Sequence, residues 1–275
     1  MSNKQRAVIV IYSSGQDLLK DCGIEETNKL IDNGNSTLLV LRKAQEEGCD
    51  KEVELFKRIT GLSWLAPESG AGDSESIIER NFFKKHVKTF NEMFHNGGFK
   101  NVQVISNNEE VLKYAASFSM NPSSDFTLST LPTHELSIFH ITNDASLFQA
   151  TLASLHTASS KEQLLQYLAL YPLPITEGLL KPKVENTLLQ GLTPPQTYLT
   201  IGSQTLTEVD INQNQGVLLI ECDKEYMRID HFKELKEIFE SVGQGKNEFL
   251  YKYQLAESFM KQVAFKMGKM EKFGA

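Results

Sequence analysis

The run Ala7-Val8-Ile9-Val10-Ile11-Tyr12 constrains this chain most. Six successive apolar residues, most of them β-branched, leave no polar face to turn toward water. Such a run reads as a strand covered on both sides, and a sheet so covered needs helices above and below it. The fold class expected is therefore α/β, with α+β as the alternative. The length of 275 residues allows one large domain or two small ones. No apolar run approaches the length of a membrane-spanning helix. The polar opening Met1-Ser2-Asn3-Lys4-Gln5-Arg6 lacks the apolar stretch of a secretory signal.

Further along, the pattern alternates between strand-like and helix-like segments. Ser13-Ser14-Gly15 ends the first strand, and a helix-like stretch follows over 16–31. Residues 36–47 are ambiguous between strand and helix, and the helix-favouring Arg42 to Glu47 tips the reading to helix. Asp50 caps a short helix carrying Val53, Phe56 and Ile59. A loop over 65–73 precedes a long helix to about His95. Asn101 to Ile105 is a strand, followed by a helix capped at Asn107 or Asn108. The Ser/Thr/Pro-rich segment 121–133 marks a boundary, which divides the chain into an α/β region over 1–120 and an α+β region over 134–275 that can share one core. The second region opens with a strand over 136–141 and a helical hairpin, its first helix ending near His156 and its second starting at Ser159 or Ser160. Three short strands follow over 198–201, 205–211 and 217–221, the last two joined by the polar loop Asn212 to Gly216. Two helices, over 231–242 and 246–269, close the chain.

Charge and cysteines narrow the setting. A net charge of −7 disfavours nucleic acid as a partner, since the chain as a whole repels a phosphate backbone. The basic run Lys84-Lys85-His86-Val87-Lys88 is interspersed with glutamates along its helix and reads as a solvated face. Cys22, Cys49 and Cys222 are odd in number and form no C-x-x-C pair, which points away from disulfides and toward a reducing, cytoplasmic compartment.

Five features carry chemistry. The turn Ser13-Ser14-Gly15-Gln16-Asp17 would sit at the carboxyl end of a strand, where ligands bind in α/β sheets. There Gly15 would let a phosphate approach backbone amides, Ser13 and Ser14 would donate hydrogen bonds, and Asp17 would hold a magnesium ion beside a nucleotide. The turn resembles the pyrophosphate loop Ser-Gly-Gly-x-Asp-Ser of ATP pyrophosphatases at Ser13, Gly15 and Asp17. It departs from that loop at Ser14 and Leu18, so the likeness is local and does not extend to membership. The segment Glu68 to Ser74 is a weaker phosphate loop, since no lysine follows it and Asp73 repels anions. His134 and His140 share a face if their segment is extended, and would need a third ligand such as Asp144 to hold a metal. Cys222, flanked by Glu221 and Asp223, is a candidate nucleophile. His231 or His134 would have to serve as its base, and the neighbouring acids would raise the thiol pKa. Lys246 to Lys269 forms a basic, Met-rich amphipathic stretch that either covers the sheet or docks on a protein partner or a membrane surface.

Three functions follow in order of support. The first is a soluble intracellular protein that acts by binding another protein through Lys246 to Lys269. The second is a nucleotide- or phosphoryl-ligand enzyme using Ser13, Ser14, Gly15 and Asp17, with magnesium. The third is a metal- or cysteine-dependent hydrolase built on His134, His140 and Cys222. No metal site is assigned.

Overall fold

The computed structural model describes residues 6–15, 17–22, 24–42, 50–62, 98–159, 164–175, 200–201, 204–205, 211–222, 232–243 and 253–269. The long helix expected to end near His95, the loop Glu68 to Ser74 and the basic run at Lys84 lie outside these residues.

One eight-stranded sheet organises the described chain. Its strands are β1 (Arg6–Ser13), β2 (Asn35–Arg42), β3 (Val102–Ser106), β4 (Asn121–Ser123), β5 (Leu136–Thr142), β6 (Leu164–Pro174), β9 (Ile211–Cys222) and β10 (Tyr253–Leu255). They lie in the order β10-β2-β9-β6-β1-β5-β3-β4. Only β9 runs antiparallel to its neighbours; every other pairing is parallel. Two short strands, β7 (Thr200–Ile201) and β8 (Gln204–Thr205), pair separately. Strands of 1–120 and of 134–275 interleave within the one sheet, β1 lying between β6 and β5.

Helices cover both faces, as the uninterrupted apolar β1 requires. On face one, Ala7, Ile9 and Ile11 meet α3 (Lys51–Thr60), α4 (Glu109–Ser117) and α7 (Phe259–Lys266) through Phe56, Val111 and Phe259. On face two, Val8, Val10 and Tyr12 meet α1 (Leu18–Asp21), α2 (Ile24–Asp32), α5 (Ala145–Ser159) and α6 (Leu235–Gly243) through Leu18, Ile31, Phe148 and Ile238. Tyr12 stacks on Phe148 with ring centroids 4.3 Å apart. Asp50 caps α3 by accepting from the Glu52 and Val53 amides, and Asn108 caps α4 in the same way.

Several elements differ from the sequence expectation. Residues 35–42 form a strand instead of a helix, because Leu38, Leu39, Val40 and Leu41 are all buried and face two different helix layers. The second helix of the expected hairpin is instead β6, whose Leu165, Leu168, Ala169 and Leu170 fill the sheet between β1 and β9. Pro172 is tolerated there because the register to β9 shifts between Leu170 and Leu173, so no regular ladder bond is lost. The polar stretch Asn212 to Gly216, expected as a loop, is carried within β9 as an irregularity: the register to β2 jumps between Val40 and Arg42, and Asn212 Oδ1 accepts from the Asn214 and Gln215 amides. The helix-like stretch 16–31 divides into α1 and α2. The expected helix over 246–269 is, within its described part, β10, a 3-10 turn (Ala256–Ser258) and α7.

Candidate functional site

The carboxyl ends of β1, β5 and β3 collect the polar residues that terminate otherwise apolar strands. Alternation along each strand sends Ser13, His140, Thr142 and Ser106 to face one, where Ile11, Ile138 and Val104 precede them. The register pairs Ser13 with Thr142 and Ser106 with His140. The first turn of α3 delivers Glu52 onto this group.

The contacts form one connected network. Ser13 Oγ donates to Glu52 Oε1 at 2.7 Å, and Thr142 Oγ1 donates to Glu52 Oε2 at 3.4 Å. His140 Nε2 lies 3.3 Å from Glu52 Oε2 and has no hydrogen-bond partner. On the other side of the ring, His140 Nδ1 is 3.0 Å from Ser106 Oγ, which also accepts from the Asn108 amide at 3.0 Å. With the ring hydrogen on Nε2, Ser106 Oγ donates to Nδ1. Phe56 packs edge-on against the imidazole at 6.1 Å. His140 and Ser106 are fully buried, whereas the Glu52 side chain keeps 19% of its surface exposed. The network thus reaches solvent at Glu52 and at the half-buried Thr142. Tyr171 stands beside it, and burial first and the Glu52 carboxylate second raise its phenol above the ordinary value.

The carboxyl edge between β5 and β3 is a topological switch point. The helix after β3 (α4) packs on face one, while the helix after β5 (α5) packs on face two, so their connections part at the carboxyl edge. Asn107 bridges the gap: its side chain donates to the Thr142 carbonyl and accepts from the Thr142 amide, both at 2.9 Å. Next to it Asn143, in the left-handed region with φ 52°, accepts from the Gly15 amide through Oδ1.

That last contact occupies an amide of the expected phosphate cradle. The Ser14 amide donates to the Tyr171 carbonyl at 2.9 Å and the Gly15 amide to Asn143, so both amides of the turn are taken. A Cβ on residue 15 would stand 2.7 Å from Asn143 Oδ1, so glycine is needed here for the asparagine to approach. Ser14 Oγ donates to Asp21, and Asp17 caps α1 through the Leu19 amide and pairs with Lys20 at 3.4 Å. Of the residues expected at this turn, Ser13 alone joins the network around Glu52.

The other candidates are not brought together. His134 ends a 3-10 turn (Leu128–Thr133) and contacts Thr133 Oγ1, whereas His140 is buried in β5. The two are not part of one extended segment, so their even spacing does not align them. No group of three or more His, Cys, Asp or Glu side chains able to hold a metal occurs among the described residues. Cys222 donates to the Leu30 carbonyl at 3.3 Å, and burial, then Glu221, push its thiol up to about 12. That environment opposes a thiolate nucleophile. In α7 the apolar residues Phe259, Met260 and Val263 are buried in the core, while Lys266 pairs with Glu221 and Lys269 with Glu135. The described part of the expected docking helix therefore covers the sheet.

Sequence reasoning missed Glu52, Ser106, Thr142 and Asn143. A usable signal was present: Ser13, Ser106 and Thr142 each end an apolar strand with a hydroxyl.

No family model matches the chain, and no curated protein matches it. Among solved structures it is similar to the structure of PH0037 protein from Pyrococcus horikoshii, with 11% identity and a TM-score of 0.52 over 100% of both chains. At that identity the likeness shows the fold alone. No helix among the described residues is long and apolar enough to cross a membrane.

Proposed function

We propose that the protein binds a small polar molecule at the carboxyl edge of β1, β5 and β3, with Glu52 as the contact residue. The observation that carries this reading is the Ser106–His140–Glu52–Ser13 network. A core gains nothing from burying an imidazole and two hydroxyls where apolar residues of similar volume would pack, and one ring nitrogen is left without a hydrogen bond. The network stands where α/β sheets bind their ligands and reaches solvent at a carboxylate. The ligand differs from the nucleotide phosphate expected from sequence, because both turn amides are taken and Asp17, Asp21, Glu52 and Asp144 lie on the loops and helix ends of this edge. Cys22 and Cys222 are free thiols and support a reducing, cytoplasmic setting for this activity.

The test is an amide chemical-shift screen of the full chain against a panel of small polar metabolites, including nucleotides with and without magnesium. Binding at this edge moves the Gly15, Thr142 and Asn143 amides in the wild type and fails to do so in Glu52→Gln. If panel members at millimolar concentration bind the protein elsewhere, or none moves those amides, the reading is wrong. Docking of a protein partner is the second reading. It needs a surface other than the described face of α7, whose apolar side chains are already buried.

A further inference from the structure

Resting on the ligand site at the carboxyl edge, one feature of Glu52 narrows what the ligand carries. Carboxylates this far withdrawn from water are ordinarily matched by a cation, since uncompensated charge in a low-dielectric setting is costly. Where other partly buried carboxylates form ion pairs among the described residues, the partner is a lysine or arginine. Glu257 and Glu54 flank Arg58, Glu221 meets Lys266, and Glu135 meets Lys269. Glu52 meets neither a lysine nor an arginine among the described residues. Its neighbours are the hydroxyls of Ser13 and Thr142 and the buried, unbonded Nε2 of His140. The nearby guanidinium of Arg58 is committed to Glu54 and Glu257.

We propose that Glu52 takes an organic ammonium group, which supplies the positive charge that no described lysine or arginine brings to it and hydrogen-bonds the carboxylate at its exposed side. An anion is repelled by Glu52 and finds no free amide at Ser14 or Gly15. A divalent metal finds one carboxylate where it needs several hard ligands. An ammonium needs one carboxylate and nearby oxygen acceptors, and the Ser13 and Thr142 hydroxyls provide the latter.

The experiment titrates the full chain, labelled with nitrogen-15 in backbone and histidine rings, with propylammonium, propionate, inorganic phosphate and propanol at matched ionic strength. The expected result is a saturable shift of His140 Nε2 and of the Thr142 and Asn143 amides with propylammonium alone. Glu52→Asp should retain the response, and Glu52→Gln should weaken the affinity at least tenfold. If propionate, phosphate or propanol shifts the same resonances as strongly as propylammonium, the ammonium assignment is overturned while the ligand site stands. If propylammonium shifts none of them, the assignment is overturned as well, and the metabolite panel above decides the site separately. Because the four probes are compared on the wild type, the outcome does not depend on the variants folding.

Discussion

Replacing Arg58 with alanine removes the cation that joins α3 to the carboxyl-terminal elements, and the geometry fixes what that should cost. Arg58 Nη2 lies 2.7 Å from Glu54 Oε1, its Nε donates to the same oxygen at 2.8 Å, and its Nη1 lies 3.6 Å from Glu257 Oε1. The side chains are 7% exposed for Arg58, 21% for Glu54 and 2% for Glu257. In Arg58→Ala, Glu54 can rotate into water, but Glu257 cannot. A surface pair would cost under about 1 kcal/mol to lose, whereas stranding a buried partner costs about 3–5 kcal/mol. The prediction is the larger figure, a large share of the 5–15 kcal/mol that holds a typical domain together. Urea denaturation followed by circular dichroism would read it as a lower midpoint at unchanged slope. A cycle with Glu257→Gln adds the decisive check: once the stranded carboxyl is neutral, the arginine deletion should cost markedly less. A loss below about 1 kcal/mol for Arg58→Ala, or strict additivity with Glu257→Gln, would refute the reasoning.

The remaining predictions address caps, packing and pH. Asn108→Ala should cost about 1 kcal/mol, because two α4 amides lose their acceptor, and a urea midpoint would show it. Gly34→Ala should cost about 1–3 kcal/mol, since the new Cβ would lie 2.8 Å from the Glu221 and Leu30 carbonyl oxygens, which are backbone and give little; calorimetry should show a lower Tm. For Glu135, burial alone would raise the carboxyl, but the Lys100 amide and the Lys269 ammonium outweigh it and hold the group below its ordinary value. Its contribution to stability is therefore present above the carboxyl's unfolded pKa and lost as pH falls through the folded one, so Glu135→Gln should flatten the acid limb of a stability-against-pH curve. Cys222, with its thiol pushed up to about 12, should resist alkylation at mildly alkaline pH in the folded protein and react on unfolding, which mass spectrometry of the alkylated peptide would detect.

The local chemistry of this sequence determined its strongest elements. Six apolar residues at Ala7 to Tyr12 cannot sit anywhere but in a doubly covered strand, and Asp50 and Asn108 cap their helices because a short side-chain oxygen satisfies amides nothing else would reach. Elements whose identity depends on a neighbour were not legible. Residues 35–42 and 164–174 have helical or mixed propensity, and they became strands because β9 offered each a partner and two helix layers offered each cover. The polar stretch at Asn212 to Gly216 turns locally through the Asn212 side chain yet stays within β9, because the strand resumes its pairing on either side of it. Of the candidate site, only Ser13 and His140 stand out in the sequence, and nothing there connects them. Their convergence with Glu52, Ser106 and Thr142 spans positions 13 to 142 and is set by strand order and register. Those are properties of non-local pairing, which no window of sequence contains.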